Sequence, residues 1–348
     1  MARSVRASSM EFVSFDARSG ALSLRKAPLP RPPRGELLVR VAYSGVCGTD
    51  LHIIEGSFPC KQSEPLTLGH EFCGTIEALG DGVTAFRLGQ RVTVDPNSGC
   101  NLCGDCHAGC YHLCLNGGVN STIGIFRNGG WATHCVVPEM QVYALPDAVD
   151  MAQAALSEPL SCLAHGWDLM SPIDVGQRVL VSGAGIIGLL WAAALHLHGL
   201  RKTVTVCEPQ DKRKDMVKRM GLDYEVCSPQ QLQGKEFDLA VDCSGSGPAM
   251  EAAIPLLARG GRFCMFGVAN PAAQVSINPY QMYKKELTIK GANINPFTFP
   301  KGIGLLEAMH DTYLRFDNLG IKVFKLSEYK EALDALKRGD ISKAVFKC

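Results

Sequence analysis

The chain has 348 residues, too many for one ordinary domain, so we expect two domains. Its 35 basic and 34 acidic residues nearly cancel without forming charged runs, which gives no electrostatic reason to expect nucleic acid or a membrane surface as a partner. The 15 cysteines, an odd number with several inside apolar runs, indicate a reducing compartment, and we expect a cytoplasmic protein.

The first part of the chain, to about residue 155, is rich in short strand signals. Its first ten residues, MARSVRASSM, have a composition found in transit peptides, but the stretch is short and strand-like MEFVSF follows at once. We therefore expect no targeting segment. In ELLVRVAYSG, FCGTIEALG and RVTVD, β-branched residues alternate or run between Gly, Pro and Asp. This part is predicted to be a β-rich domain with long loops.

The middle of the chain alternates strands with helices. Strands are predicted for QRVLVSG, KTVTVCE, FDLAVDCSG, RFCMFG and ELTIKGA, and helices for DKRKDMVKRMG and PAMEAAIPLLARGG. This alternation is typical of a parallel, doubly wound sheet. The apolar run Val179–Leu200 is nearly long enough to span a bilayer, but a buried strand–turn–helix explains it better because Gly183, Gly185 and Gly188 interrupt it. The tail from about Pro296 holds two helix-like stretches and a short final strand.

GAGIIG at residues 183–188 fits G-x-G-x-x-G, which is a weak signal by itself. Its context strengthens it, since a strand precedes it, a helix follows, and Glu208 ends the next strand. In dinucleotide-binding folds the glycines permit the tight turn, the approach of a pyrophosphate to the helix N-terminus, and close helix–strand packing. A plain packed strand–turn–helix is the alternative. The residues predicted to bind the cofactor are Gly183, Gly185, Ile187, Gly188, Glu208 and Arg213.

The charges after this motif bear on the choice of cofactor. Glu208 would accept hydrogen bonds from the adenosine ribose and repel a 2′-phosphate, so NAD is predicted over NADP. Lys212 and Arg213 keep NADP open, because either cation could face a phosphate. We prefer the alternative, in which both lie on a solvated helix face.

Two groups of metal-ligand residues fall within the β-rich part. CNLCGDCHAGCYHLC, residues 100–114, holds five cysteines, one more than a tetrahedral zinc site takes. Clustered thiolates repel one another unless a cation neutralises them, which favours a closed structural zinc site. Cys47, His70 and Glu71 are a plausible set for a catalytic zinc, which keeps one position for water or substrate. By itself each of these three residues stays open, because a lone Cys or His is usually structural.

Together these motifs resemble the zinc-dependent medium-chain dehydrogenases, and most closely their polyol branch of sorbitol, xylitol and arabinitol dehydrogenases. The resemblance covers nearly the whole chain and rests on the cysteine cluster, VCGTDLH, LGHEFCGTIEALG, GDGVTAFRLGQRV, EPLSCLAHG and GAGIIG. It implies an α/β protein with a GroES-like β-rich catalytic domain at 1–155 and 296–348, which carries the structural zinc lobe. It also implies a Rossmann NAD-binding domain with a doubly wound parallel sheet at 156–295.

The resemblance implies which cysteine is surplus. The family's structural lobe uses C-x2-C-x2-C-x7-C, and Cys100, Cys103, Cys106 and Cys114 match this spacing without a gap. Cys110 falls outside the pattern and is expected to be a free thiol. The lobe is expected to support the fold and to do no chemistry.

The catalytic zinc ligands follow from the same resemblance. Cys47 and His70 match family ligands, Glu71 matches the third ligand of the polyol branch, and Glu158 matches a fourth carboxylate near the metal. Simple alcohol dehydrogenases usually have cysteine at the last position. Carboxylates in place of a thiolate make a harder site, suited to a substrate with more than one oxygen. Whether Glu158 binds zinc directly or holds its water stays open.

Thr49 and His52 match the family's proton relay from the substrate alcohol to solvent, and Asp50 is expected to brace the local backbone or a ligand. The alternatives are a hydroxyl in a turn and a surface imidazole. The resemblance further implies two zinc ions per chain, one catalytic and one structural, together with NAD. A small alcohol or polyol is the expected substrate, and a homo-oligomer, either a dimer or a tetramer, is expected.

GIFRNGGW and NINPFTFP resemble pocket loops of the polyol branch. The second loop lacks the Arg-Tyr pair that contacts the polyol in sorbitol dehydrogenases and is closer to arabinitol-type enzymes. The residues expected to contact substrate are Phe58, Phe126, Asn293, Asn295 and Phe297, and core packing is the alternative for the phenylalanines.

The sequence therefore predicts reversible oxidation of a secondary alcohol of a polyol to the corresponding ketose. The same chemistry on a threonine-like amino acid or on an aromatic or terpenoid alcohol is the alternative. A non-catalytic cofactor-binding relative is a remote alternative, because Cys47, His70 and Glu71 are all present.

Overall fold

The computed structural model describes residues 9–58 and 64–348. Most of the N-terminal segment MARSVRASSM, which was considered above as a targeting segment, lies outside the described residues. Two compact units are present, one of residues up to Glu158 with Val323–Asp334 and Ala344–Cys348, the other of Pro159–Lys322 and Ala335–Lys343. The expected domain bounds stay a prediction, and they differ from these units in that 296–322 and 335–343 group with the second one.

The strands and helices of the described residues are as follows. The strands are β1 Ser9–Asp16, β2 Ala21–Pro28, β3 Glu36–Gly45, β4 Leu66–Thr67, β5 Phe72–Leu79, β6 Arg91–Val94, β7 His134–Pro138, β8 Val142–Ala144, β9 Val179–Ser182, β10 Val204–Cys207, β11 Glu225–Cys227, β12 Phe237–Asp242, β13 Leu257–Met265, β14 Thr288–Gly291, β15 Ile321–Lys325 and β16 Lys343–Lys347. The α-helices are α1 Gly48–Ile54, α2 Gly104–His107, α3 Ser157–Met170, α4 Ile186–Leu197, α5 Asp211–Arg219, α6 Gly247–Ala253, α7 Pro279–Lys285, α8 Phe299–Met309, α9 Phe316–Leu319 and α10 Tyr329–Lys337.

Short 3-10 turns complete the list: Tyr111–Leu113, Val119–Ser121, Glu139–Gln141, Gln153–Leu156, Pro229–Leu232, Ile254–Leu256 and Leu326–Glu328. Among the described helices, none combines the length and the apolarity that crossing a membrane requires.

The first unit is built mainly of antiparallel strands. Its larger sheet has the order β15-β16-β3-β5-β6-β8, with β7 also pairing with β3, and a smaller sheet has the order β2-β1-β4. Leu37, Val39 and Val41 of β3 are buried and pack against Phe72 and Ile76 of β5. Leu38, which faces the other side of the strand, is buried as well, so both faces of β3 are covered at this point. The β-rich prediction is confirmed.

The second unit contains a six-stranded parallel sheet in the order β11-β10-β9-β12-β13-β14. The run Val179–Leu200 forms β9 and α4, as predicted, and the residues from Gly188 to Leu195 are all buried. The strand order reverses between β9 and β12, and ligands of such sheets bind at the carboxyl ends of the strands beside this point. The prediction of a doubly wound parallel sheet is confirmed, and the fold places the GAGIIG turn at that position.

One predicted helix is shorter than expected. The helix predicted over PAMEAAIPLLARGG ends at Ala253, and β13 already begins at Leu257. Pro255 lacks the amide hydrogen that a continuing helix needs. Leu257 is fully buried and pairs with Phe237 of β12, so sheet pairing prevails over the local helical pattern. The tail likewise differs, with α8, α9 and α10 in place of two helices and with β15 as an additional strand.

Candidate active site and zinc lobe

The first candidate metal site joins residues from two segments of the first unit. Cys47 directly precedes α1, and His70 and Glu71 directly precede β5. One donor atom from each of the three lies within 4.8 Å of the other two. His70 and Glu71 are 5% and 2% exposed, so these two donors are buried in the unit. The arrangement brings together the sulfur, nitrogen and oxygen ligands that the sequence predicted.

A close-packed turn positions His70 and Glu71. Gly69 has φ +95°, and a Cβ there would lie 2.2 Å from the Trp131 ring. The Trp131 indole in turn donates to the Gly45 carbonyl at 3.2 Å, and the Gly45 amide donates to the Glu71 carbonyl at 2.7 Å. Only glycine satisfies both the backbone conformation and the packing at residue 69.

Asp50 links two of the ligands. It is fully buried, its Oδ2 accepts from the Cys47 amide at 2.8 Å, and its Oδ1 lies 3.6 Å from His70 Nδ1. Burial opposes a charge on His70, but Cys47 and Asp50 raise its pKa well above the ordinary value. The same negative surroundings favour a cation at the ligand atoms. Because Asp50 Oδ1 and His70 Nδ1 are buried without a hydrogen-bond partner among the described residues, and the donor set is one that zinc takes, the residues fit a zinc ion.

The residues predicted for proton transfer lie on α1. Thr49 is half-buried, with its hydroxyl 3.7 Å from the Cys47 sulfur. His52, one turn further on, is also half-buried, and its Nδ1 is 3.3 Å from the Ser57 hydroxyl. Glu158 is 8% exposed in the first turn of α3 and is not one of the donors that lie within 4.8 Å of one another. Glu158 is therefore not part of the close group, and its role near the metal stays a prediction.

The second candidate metal site is the cysteine lobe. The sulfur atoms of Cys100, Cys103, Cys106 and Cys114 all lie within 4.8 Å of one another. The Leu102 amide and Cys114 donate to Cys100 and lower its pKa, whereas for Cys103 the lowering effect of the Cys106 amide is outweighed by burial and the neighbouring cysteines, which raise its pKa. Cys100 thus ionises before Cys103. A thiolate is thereby favoured, and thiolates are the form that binds zinc. These four residues fit a closed structural zinc site.

Cys110 is not part of the group. Its sulfur is half-buried and lies 3.8 Å from the Ala108 carbonyl, and it forms no disulfide. The backbone around the lobe is tightly folded, since a Cβ on Gly99 would lie 2.5 Å from the Cys106 sulfur. The structure therefore groups the four cysteines that match the spacing and leaves out the fifth.

The glycine turn in the second unit is shaped for a dinucleotide. Gly183 follows β9 with φ +100°, Gly185 is the N-cap of α4, and Ile187 lies half-buried in the first turn of that helix. A Cβ on Gly188 would lie 1.9 Å from the Gly183 carbonyl oxygen, so helix and turn touch there. A Cβ on Gly185 would meet no described atom within 4 Å, which leaves space where a pyrophosphate would approach. The turn fits NAD or NADP.

Glu208 lies just past β10 and is 2% exposed. Its two carboxylate oxygens accept hydrogen bonds from the amides of Ala184 and Gln210, each at 2.9 Å. The negative charge is thus held against the glycine turn by two backbone donors. Arg213 is half-buried, and its Nε has no hydrogen-bond partner among the described residues.

The loop after β12 was not predicted to contribute to the site. Asp242 is fully buried and accepts from Ser244 and from the Gly245 amide at 3.0 Å. Burial raises the pKa of Asp242, although these donors oppose the shift. A Cβ on Gly183 would lie 3.2 Å from Ser244, so this loop borders the glycine turn. The sequence feature that could have indicated this loop is DCSG at the end of β12. Its position next to the glycine turn depends on the sheet order, which pairs β12 with β9.

The expected substrate residues fall into different environments. Phe58 and Phe126 are half-buried in the first unit, whereas Asn293 is exposed and Phe297 is 65% exposed in the second. Asn295 is fully buried, and its amide donates to the Ser161 hydroxyl at 2.8 Å. This position favours a structural role for Asn295 over the substrate contact expected from the sequence, because its donor is already engaged inside the unit.

Comparison with known proteins supports this assembly of sites. The profile of the alcohol dehydrogenase GroES-like domain matches residues 33–147, and that of the zinc-binding dehydrogenase matches residues 187–308. The D-altritol 5-dehydrogenase of Agrobacterium fabrum is 34% identical over 86% of this chain and 88% of its own length. The sorbitol dehydrogenase of Halalkalibacterium halodurans is 32% identical over 94% of this chain and 96% of its own.

Two further comparisons bear on substrate and cofactor. The L-threonine 3-dehydrogenase of Saccharopolyspora erythraea is 34% identical over 78% of this chain and 80% of its own length. Among solved structures, a zinc-binding dehydrogenase of Sinorhizobium meliloti bound to NADP has a TM-score of 0.87 and 30% identity, covering 98% of this chain and 100% of its own.

Proposed function

The chain belongs to the zinc-dependent medium-chain alcohol and polyol dehydrogenase family, and we propose that it interconverts a secondary alcohol of a polyol and the corresponding ketose. The observation that carries the proposal is the group of Cys47, His70 and Glu71, in which a carboxylate stands as the third donor. An oxygen donor makes the site harder and suits a substrate with several hydroxyls. The polyol dehydrogenases among its relatives support the same substrate class.

The residues of the chain have separate tasks in this reaction. When bound, zinc lowers the pKa of a substrate hydroxyl, while the nicotinamide accepts a hydride. Thr49 Oγ1, next to Cys47, would take the hydroxyl proton, and His52 would pass it toward solvent. Asp50 keeps the His70 ring and the Cys47 backbone in place.

The cofactor set comprises two zinc ions per chain, one held by Cys47, His70 and Glu71 and one by the four cysteines of the lobe. Glu158 acts beside the first zinc. NAD is the dinucleotide, and Gly183, Gly185, Ile187, Gly188, Glu208 and Arg213 surround it. None of the cysteines among the described residues forms a disulfide, which supports a reducing compartment such as the cytoplasm. The oligomeric state, a dimer or a tetramer, stays a prediction.

A substrate panel tests the proposal. With NAD we expect a five- or six-carbon polyol to be oxidised best, and ethanol and long aliphatic alcohols to be far poorer. Polar groups of the site that find no partner on an apolar alcohol cost about 1–3 kcal/mol each, so two of them cost roughly 30- to 10⁴-fold in kcat/KM. The measurement is kcat/KM for xylitol, arabinitol, sorbitol, threonine, ethanol and a terpenoid alcohol.

The second candidate is oxidation of a threonine-like amino acid, which the similarity to the threonine dehydrogenase favours. A tenfold advantage of threonine or of an apolar alcohol in the panel would refute the polyol assignment and leave the zinc dehydrogenase assignment intact.

The cofactor preference is tested separately. Wild type is expected to prefer NAD, and Glu208→Ala to lower kcat/KM for NAD about tenfold, because ribose hydrogen bonds contribute roughly 1–3 kcal/mol. The loss for NADP should be smaller, since the repulsion of a 2′-phosphate disappears as well. Glu225→Ala, which removes the carboxylate that pairs with Lys235 at 2.7 Å, is the control and should change neither value. A wild-type preference for NADP would contradict the role given to Glu208.

A further inference from the structure

The two cations that could face a 2′-phosphate are not equivalent in the structure. Lys212 Nζ lies 3.0 Å from Asp340 Oδ1, and Asp340 Oδ2 accepts from Arg338 Nε at 2.8 Å. Arg213, by contrast, has a guanidinium whose Nε is without a hydrogen-bond partner among the described residues. Lys212, one of the two cations that follow Glu208 in the sequence, is therefore paired with a carboxylate 128 positions further along the chain.

Asp340 is held in place by the backbone. α10 ends in a Schellman motif, in which the Gly339 amide donates to the Leu336 carbonyl at 3.0 Å and the Asp340 amide to the Ala335 carbonyl at 3.1 Å. Gly339 has φ +68°, as this motif requires. The carboxylate of Asp340 thus extends from a fixed turn rather than from a loose loop.

The turn contacts the start of α5, the helix that follows Glu208. A Cβ on Gly339 would lie 3.1 Å from Gln210 Oε1 and 4.0 Å from Arg213 Nη2. Gln210 also donates its amide to Glu208. The turn, the helix start and the carboxylate of Glu208 therefore form one connected cluster, which lies within the second unit.

We propose that Asp340 determines cofactor specificity, because its carboxylate neutralises Lys212 and so weakens the attraction of the site for a 2′-phosphate. The proposal rests on the proposed binding of a dinucleotide at the glycine turn. The nearby acid Asp211 is already paired with Lys214 at 2.7 Å, so Asp340 is the carboxylate that offsets Lys212. In wild type, Glu208 repels a 2′-phosphate and Arg213 attracts it.

The proposal is tested by comparing the affinities of two nucleotides, each measured separately. Their binding requires neither zinc nor an alcohol. Adenosine 5′-monophosphate and adenosine 2′,5′-bisphosphate differ only in the 2′-phosphate, and their Kd values are measured by calorimetry at low ionic strength, where surface charges act most strongly. Asp340→Asn should tighten the bisphosphate roughly threefold to tenfold and leave the monophosphate within about twofold. Asp215→Asn is the matched control, since it breaks the Asp215–Lys218 pair of 3.2 Å on the same helix, and it should change neither Kd.

Lys212→Met completes the cycle. Alone it should leave the ratio of the two Kd values within about twofold, because Lys212 is already neutralised, and in the Asp340→Asn background it should cancel most of the gain. If the monophosphate binds but Asp340→Asn leaves the ratio unchanged, the role of Asp340 is refuted and the cofactor site stands. If wild type binds neither nucleotide, both the role of Asp340 and the proposed cofactor site are refuted.

Discussion

Cys47→Ser is expected to lower kcat/KM for the best polyol at least about 10³-fold, which corresponds to roughly 4 kcal/mol of transition-state stabilisation. Serine places a neutral hydroxyl where a thiolate would complete the donor group with His70 and Glu71. Without that ligand the site no longer holds zinc, which supplies several kcal/mol in such reactions. Elemental analysis of protein purified without added metal should show a fall from two zinc ions per chain to one, together with the loss of activity.

Asp50→Asn is expected to have a smaller effect than Cys47→Ser. It keeps the size of the side chain but weakens the interaction with His70, so we expect a loss of about 10- to 100-fold in activity or zinc affinity. The role assigned to the three ligands is wrong if Cys47→Ser retains two zinc ions and most of its activity.

Cys103→Ser is expected to remove the other zinc and to destabilise the fold. Structural zinc sites contribute folding energy directly, and the remaining thiolates, packed within 4.8 Å of one another, would repel without the metal. A loss of about 3–5 kcal/mol corresponds to a fall in Tm of about 4–7 °C for a chain of this size. The measurements are zinc content and thermal unfolding, with limited proteolysis to show that the lobe has opened.

Cys110→Ser is the matched control for both cysteine variants. Its sulfur lies outside the group, so two zinc ions, an unchanged Tm and full activity are expected. Loss of zinc in this variant alone would show that a different cysteine is the surplus one.

Much of the fold could be predicted because its signals are local. The apolar and β-branched residues of ELLVRVAYSG indicate a strand, whatever its neighbours in the fold. GAGIIG between a strand and a helix indicates the dinucleotide turn, since only glycine fits where Gly188 touches the Gly183 carbonyl. The helix over PAMEAAIPLLARGG was wrong beyond Ala253, because pairing of Leu257 with β12 is a contact between distant residues that local periodicity does not contain.

The site residues likewise include some that the sequence indicates and some that only the tertiary structure reveals. The four cysteines of the lobe could be expected from the sequence through its family resemblance, because the whole motif lies within fifteen consecutive residues. Only the tertiary structure decided that Asn295 is buried against Ser161 and that Asp340 pairs with Lys212. Each of these contacts joins segments more than a hundred residues apart, and which segments meet depends on how sheets and helices pack. Residue type and spacing limit the chemistry that a side chain can perform. Tertiary packing determines which distant residue it contacts.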